Sequence, residues 1–231
     1  MSRRFAIYFA APEGSALEAF GRSWIGRDHV TGAPVAPPRI AGLSPTRQRE
    51  VAAFPRHYGF HATLKAPFEL APDRGRDELL TALAGFAATR RRFVAPPVEV
   101  QALSGFIAFK LSAPSEDMAA LAADCVTTFE PFRAPPRASE IERRRAAGLS
   151  ARQDRYLLAW GYPYVFEEFD FHMTLTGRLE DPERNVVLEA LRALALPLVE
   201  APLPVDAVSL YEQPDRDRPF RLTARFPFGD R

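Results

Sequence analysis

Cysteine and long apolar segments are scarce in this sequence. Cys125 is the single cysteine, so no intramolecular disulfide can form. No uncharged apolar run is long enough to span a bilayer, and no basic segment followed by an apolar one opens the chain. We therefore expect a soluble protein of a reducing cytoplasm, with no membrane partner.

The sequence also lacks an excess of either charge. Lys and Arg total 30 and Asp and Glu total 29, so the net charge is +1 at pH 7. So small a charge gives no global field to hold a long polyanion, and extended nucleic acid is not expected as a partner. A small anion needs only a local pocket. Hydrophobic residues make up 47% of the chain, which is ample for one packed domain over residues 1–231.

Periodicity in the first half alternates between strand and helix. The segment "RFAIYFA" is typical of a buried strand, and "SALEAFGRSWIG" has helical spacing. Ser44 and Pro45 predict the start of a short helix, which we expect Pro55 to end. A helix over residues 76–90 and a hairpin turn at Ser104-Gly105 follow.

The second half repeats this order. Met118, Leu121, Cys125 and Phe129 share one helical stripe, so Cys125 is expected in the core rather than as a nucleophile. A capping box beginning at Ser150 predicts the next helix. The strand "FDFHMTLTGRL", the helix "DPERNVVLEALRAL" and two final strands complete the chain. Strands and helices in this order predict an α+β fold.

One five-residue phrase occurs twice, as "FHATL" at 60–64 and "FHMTL" at 171–175. Each copy is centred on one of only four histidines. By composition, His-x-Thr followed by an apolar residue is expected for roughly one histidine in fifty. Its occurrence at two of the four histidines therefore indicates a functional cause rather than chance. The separation of 172 − 61 = 111 residues is close to half the chain. Two half-domains that face one another would produce such spacing.

Side chains alternate between the two faces of a strand, which sorts each motif into an apolar and a polar face. In the first motif Tyr58, Phe60, Ala62 and Leu64 share one predicted face, and His57, Gly59, His61, Thr63 and Lys65 share the other. In the second motif Phe169, Phe171, Met173 and Leu175 oppose Asp170, His172, Thr174 and Thr176. Each strand is thus predicted to present a histidine beside a threonine.

Two imidazoles and two hydroxyls around one groove are sufficient for cleavage of a phosphodiester. A neutral imidazole takes a proton from water or a ribose hydroxyl, and a protonated one gives a proton to the departing oxygen. Hydroxyl donors hold the non-bridging oxygens as charge builds. Neither a cofactor nor a metal is expected. His57 and His61 are four apart, but no carboxylate or cysteine nearby completes a metal site.

Three further residues are candidates to contact a substrate. Lys65 shares the predicted face of His61 and could pair with a second phosphate, a solvated lysine at the strand end being the alternative. Tyr8 and Tyr58 are candidates to line the cleft, packing with only the hydroxyl exposed being the alternative. The arginine runs at 90–92 and 143–145 are expected to be solvated charge on helices.

The extended phrases "RHYGFHATLKAPF" and "FDFHMTLTGRL" resemble the paired motifs of the two-histidine (2H) phosphoesterases. Together with "IYFA" and "WIGRD", they are similar to a family encoded in bacterial phosphonate-utilisation operons. The resemblance implies two pseudo-symmetric lobes of antiparallel strands with flanking helices around a central cleft. It also implies that His61 and His172 are the catalytic pair, and that Thr63 and Thr174 contact the phosphate.

We therefore expect a cytoplasmic phosphodiesterase that acts on a small cyclic phosphate or phosphodiester, in phosphonate metabolism. Two alternatives stay open at this stage. One is a non-catalytic sensor that binds a cyclic nucleotide or phosphorylated sugar in the same cleft. The other is an RNA 2′,3′-cyclic phosphodiesterase, for which we would expect a basic groove with exposed aromatic side chains that stack on bases.

Overall fold

A computed structural model describes residues 3–229 of the chain. Within these residues the strands are β1 (Arg4–Phe9), β2 (Ala62–Phe68), β3 (Phe93–Ala95), β4 (Val98–Leu103), β5 (Phe106–Leu111), β6 (His172–Thr174), β7 (Leu203–Val205), β8 (Ala207–Gln213) and β9 (Arg221–Pro227). The α-helices are α1 (Ala16–Ile25), α2 (Pro45–Val51), α3 (Ala53–Tyr58), α4 (Arg76–Ala88), α5 (Glu116–Thr128), α6 (Ala138–Arg145), α7 (Ala151–Trp160) and α8 (Glu183–Ala195). Short 3-10 turns lie at Glu130–Phe132, Phe166–Glu168 and Leu196–Leu198.

Seven strands form one antiparallel sheet in the order β4-β5-β6-β2-β1-β8-β9, and β3 pairs separately with β7. The two motif strands, β2 and β6, are neighbours inside the large sheet. On one side β6 is extended by β5 and β4, and on the other β2 is extended by β1, β8 and β9. The strands beside β6 come from the first half of the chain, and β8 and β9 come from the second, so the two halves exchange strands within one sheet. The α+β fold with antiparallel strands and flanking helices is confirmed.

One face of the sheet packs against α-helices and carries the main apolar core. This core contains Phe9 from β1, Leu64 from β2 and Met173 from β6, with Leu83 from α4 and Cys125 from α5. The predicted stripe on α5 is confirmed, because all four of its residues are buried and the side chain of Cys125 is 0% exposed. The opposite face carries a smaller aromatic cluster and leaves the motif side chains open to a cleft.

Local capping signals set several helix ends as predicted. The Ser150 hydroxyl accepts a hydrogen bond from the Gln153 main chain, and the Gln153 side chain accepts one from the Ser150 main chain. Pro55 differs from expectation, because it lies in the first turn of α3 rather than ending a helix. A first-turn residue needs no N–H partner, so proline fits there. Gly59, with φ of 84°, ends α3 instead.

An irregularity in the β1–β2 pairing changes the face of Lys65. Tyr8 pairs with Thr63 and Ile7 pairs with Lys65, so β2 advances two residues where β1 advances one. Such a bulge breaks the strict alternation of side chains. Leu64 and Lys65 are consequently both buried on the helix-covered side. The expectation that Lys65 shares the face of His61 is wrong.

Within residues 3–229, no helix is both long and apolar enough to cross a membrane.

Candidate active site

The register of β2 against β6 places the two motifs side by side. Ala62 pairs with Met173 in antiparallel orientation, and both side chains are buried in the core. Directly opposed residues share a face, so His61 lies across from Thr174 and Thr63 lies across from His172. All four side chains therefore point to the cleft side. The histidine and threonine of each motif are thus brought together with those of the other.

Both site histidines are fixed in the same tautomer by a main-chain carbonyl two residues upstream. Nδ1 of His61 lies 2.8 Å from the Gly59 oxygen, and Nδ1 of His172 lies 2.8 Å from the Asp170 oxygen. A carbonyl can only accept, so Nδ1 donates and carries the proton in each ring. Nε2 of each neutral imidazole therefore carries no proton and can act as a base. The Thr63 hydroxyl lies 3.3 Å from Nε2 of His61, to which it donates.

The backbone conformation at position 59, just before the first motif, requires glycine. Its φ of 84° lies in the left-handed region, which residues with a side chain rarely adopt. A Cβ at this position would also lie 3.1 Å from the Tyr211 ring and 3.2 Å from Cβ of His29. Glycine therefore allows the chain to turn sharply from α3 into β2 and to aim its carbonyl at the His61 ring.

The cleft environment keeps both imidazoles neutral in the free protein. Burial lowers the pKa of His61 to about 3, with His172 adding to the effect and the Gly59 hydrogen bond opposing it. Burial and then Lys110 lower the pKa of His172 to about 4. The ring of Tyr8 stacks on the His61 imidazole, with centroids 3.6 Å apart and planes 18° apart. At neutral pH each ring can therefore accept a proton.

The cleft is a cavity of about 590 Å³ in which the predicted residues meet, with one exception. His61, Thr63, His172 and Thr174 line it together with Tyr8 and Tyr58. Lys65 does not line it. Its ammonium donates to the Val126 carbonyl and pairs with Glu130, each at 2.9 Å, and its side chain is 3% exposed. The proposed contact between Lys65 and a second phosphate is corrected, because its charge is held inside the protein.

Four arginines line the same cleft, and sequence reasoning assigned none of them to it: Arg4, Arg143, Arg144 and Arg178. The expectation that the run at 143–145 is solvated charge holds for Arg143, whose side chain is 68% exposed although it lines the cleft. It is wrong for Arg144, which is half-buried and stacks over the Tyr162 ring. It holds for Arg145, which is exposed and pairs with Asp154 at 2.6 Å. Arg4 shares the strand parity of Tyr8, which was a usable signal. The approach of α6 to the cleft had no sequence signal.

His57 lies outside the cleft and on a different element from the one predicted. It belongs to α3, where its Nε2 lies 2.9 Å from Nε2 of Gln213. The predicted strand parity fails here because Gly59 separates α3 from β2. Within the described range 3–229, no three His, Cys, Asp or Glu side chains are grouped as metal ligands.

The fold and the site define an α+β protein in which two His-x-Thr strands lie side by side over one arginine-lined cleft. This is the arrangement that the resemblance to the 2H phosphoesterases implied. The chain belongs to the family DUF1045, described as a protein of unknown function, whose model matches residues 63–221.

Two curated relatives carry the name ribose 1,5-bisphosphate phosphokinase PhnN. The one from Janthinobacterium sp. (strain Marseille) is 36% identical over 230 residues, which are 98% of this chain and 51% of the relative. The one from Laribacter hongkongensis (strain HLHK9) is 34% identical over 224 residues, which are 95% and 50%. The chain spans about half the length of these relatives. The crystal structure of E. coli LigT complexed with ATP is similar at a TM-score of 0.47, with 12% identity over 99% of this chain and 98% of that one.

Proposed function

We propose that this chain is a metal-independent phosphoesterase that opens a small cyclic phosphate or phosphodiester with two histidines. The observation that carries the proposal is the matched pair of imidazoles. Each is held by a carbonyl at Nδ1, each lies beside a threonine hydroxyl, and both line one cavity. Two unrelated surface histidines would not be expected to share the same tautomer, a neighbouring threonine and matched positions on paired strands.

The chemistry divides between the two imidazoles. Nε2 of one histidine removes a proton from water as the water oxygen attacks phosphorus. The bond between phosphorus and the alcohol oxygen breaks, and the other histidine, protonated, gives its proton to that oxygen. The Thr63 and Thr174 hydroxyls donate to the non-bridging oxygens as their charge grows. The products are a phosphomonoester and a free hydroxyl, and the two rings exchange protons with solvent before the next turnover.

Substrate binding supplies the protonated histidine that this scheme needs. In the free cleft both rings are neutral at pH 7, because their pKa values lie at about 3 and about 4. A phosphate anion bound between them favours a charged imidazolium, so it raises the pKa of the ring that it contacts. The acid is therefore formed only in the complex.

Several features support a small phosphorylated metabolite as the substrate. A volume of about 590 Å³ suits a ligand of nucleotide or sugar phosphate size. The names of the relatives refer to ribose 1,5-bisphosphate, a sugar phosphate of this size. Neither Lys65 nor Lys110 follows the glycine of a G-x-x-x-x-G-K phosphate loop, so the kinase activity in those names is not proposed for this chain. We place the reaction in the cytoplasm and in phosphonate metabolism.

Assay of the purified chain against a panel of nucleoside and sugar cyclic phosphates, with EDTA present, tests the proposal. We expect His61→Ala and His172→Ala each to lower kcat by about 10²–10⁴-fold, because each removes an acid or base. His57→Ala is the matched control, since His57 lies four residues from His61 but outside the cleft. The proposal fails if either site variant keeps near-normal turnover, or if the chain binds cyclic phosphates without opening them.

A further inference from the structure

The arginines of the cleft are not needed for the two-histidine chemistry. Among residues 3–229 no aspartate or glutamate lines the cavity, although Glu140 of α6 acts on Arg4 and lies 3.9 Å from Arg143. Across residues 3–229, Arg4, Arg144 and Arg178 form no ion pair with a carboxylate, whereas Arg47, Arg145 and many other arginines do. Arg178 is exposed, but Arg4 and Arg144 are half-buried, and a cation taken out of water without a counterion is costly. Such groups are therefore expected to meet an anion from outside the protein.

Arg4 of β1 and Arg143 and Arg144 of α6 line the cleft together, and we name these three residues the arginine arm. Arg4 shares a strand face with Tyr8 four residues along β1, so the Cα atoms of Arg4 and Tyr8 are roughly 13 Å apart. Glu140, from the same helix as Arg143 and Arg144, is among the charges that act on Arg4. Arg178 instead follows β6, close to the β4–β5 turn at Gly105.

The guanidinium groups of the arm are held by contacts that leave donors free. Nε of Arg4 donates to Gln213 at 2.7 Å, and its carbon lies 5.3 Å from the Phe220 ring centre. Arg144 stacks over the Tyr162 ring at 4.9 Å, and its buried Nε has no hydrogen-bond partner. Arg143 meets a carboxylate only at 3.9 Å, from Glu140. Stacked guanidinium forks with free N–H groups are suited to phosphate oxygens.

We propose that the arginine arm binds a second, non-reacting phosphomonoester of the substrate, while the histidines open its cyclic phosphate. This inference rests on the proposed function and narrows the substrate class to small molecules with two separate phosphates. A polynucleotide backbone fits less well, because the cavity is limited to about 590 Å³ and arginines outside it are largely paired with carboxylates. A backbone separation of roughly 13 Å between Arg4 and Tyr8 leaves room for a sugar ring between the two phosphates.

The test compares a nucleoside 2′,3′-cyclic phosphate with the same compound carrying a 5′-phosphate. We expect the wild-type chain to show at least a tenfold higher kcat/KM for the doubly phosphorylated form. Arg144→Gln and Arg4→Gln should each remove most of that preference, measured within each variant as the ratio of kcat/KM for the two forms. Arg145→Gln, one residue from Arg144 but paired with Asp154 outside the cleft, is the control and should keep the preference.

Binding measured without turnover separates the two proposals. Calorimetry with His172→Ala should show tighter binding of the 5′-phosphorylated compound, and adding Arg144→Gln should abolish the difference. If binding follows this pattern but the wild-type chain shows no turnover, the proposed phosphoesterase activity is refuted and the proposed second phosphate site is supported. Turnover with equal preference in wild type and Arg144→Gln would overturn the arm alone. The proposed second phosphate site is also refuted if the two compounds bind equally, or if neither binds. A strong preference for an RNA oligonucleotide that is lost as the salt concentration rises would refute it too.

Discussion

Acid should destabilise this protein through its two site histidines. Their pKa values in the folded chain are about 3 for His61 and about 4 for His172, against about 6.5 in an unfolded chain. As pH falls below 6.5 the unfolded state therefore binds protons that the folded state does not. The stability present above pH 6.5 is lost as pH falls toward 4, and the loss ends below the folded pKa values.

The size of the effect follows from these shifts. At pH 5 each histidine is largely protonated in the unfolded chain and neutral in the folded one. Linkage then lowers the free energy of unfolding by about 2 kcal/mol per histidine relative to pH 7. For the pair this amounts to about 4 kcal/mol, a large share of the roughly 5–15 kcal/mol that holds a typical domain together.

Urea unfolding at pH 7 and pH 5 measures the loss directly. The variant His61→Asn/His172→Asn keeps an N–H that can reach the same carbonyls but does not titrate. We expect it to lose about 4 kcal/mol less than wild type between the two pH values. Thr63→Val, a change in the same cleft without a titrating group, should lose as much as wild type. An equal loss in wild type and the double variant would refute the lowered pKa values.

Three other outcomes are expected. Lys65→Met should lower the free energy of unfolding by about 1–3 kcal/mol, because the Val126 carbonyl and Oε2 of Glu130 lose the ammonium while Arg133 still pairs with Glu130. Its kcat/KM should not change, since the ammonium faces away from the cleft; urea unfolding and steady-state kinetics check both. Gly59→Ala should lower the free energy of unfolding, measured by thermal unfolding, by about 1–3 kcal/mol, because the position has a positive φ and its Cβ would contact Tyr211. The same change should lower kcat more than tenfold, because it moves the carbonyl that orients His61. Activity should survive dialysis against EDTA, and recovery of lost activity by zinc or manganese would point to a metal site instead.

Local sequence patterns were sufficient to predict the elements that depend on neighbouring residues. The capping box at Ser150, the apolar stripe on α5 and the hairpin at Gly105 follow from spacing alone, and the structure has all three. The short helix at Pro55 was misassigned. Proline in a first turn and proline after a last turn look alike in sequence, and only the position of Gly59 separates them.

The site was predictable where strand alternation held and unpredictable where it failed. His61, Thr63, His172 and Thr174 lie on one face because the β2–β6 pair is regular at Ala62 and Met173. Lys65 was misplaced because a bulge depends on the partner strand, which a single sequence does not reveal. The arginine arm was missed for a similar reason. Arg4 is 139 residues before Arg143 in the chain, and only tertiary packing brings α6 beside the cleft.

The paired-histidine claim is tested most directly by the dependence of kcat on pH. The measurement uses the preferred cyclic phosphate at saturation, with EDTA present, for wild type, His61→Ala and His172→Ala. The account predicts a bell-shaped profile for wild type, because one bound-state imidazole must be neutral and the other charged. Each variant should lose a different limb of the bell together with most of its kcat. A wild-type profile without two limbs, or a variant that keeps both limbs and near-normal kcat, would contradict the account.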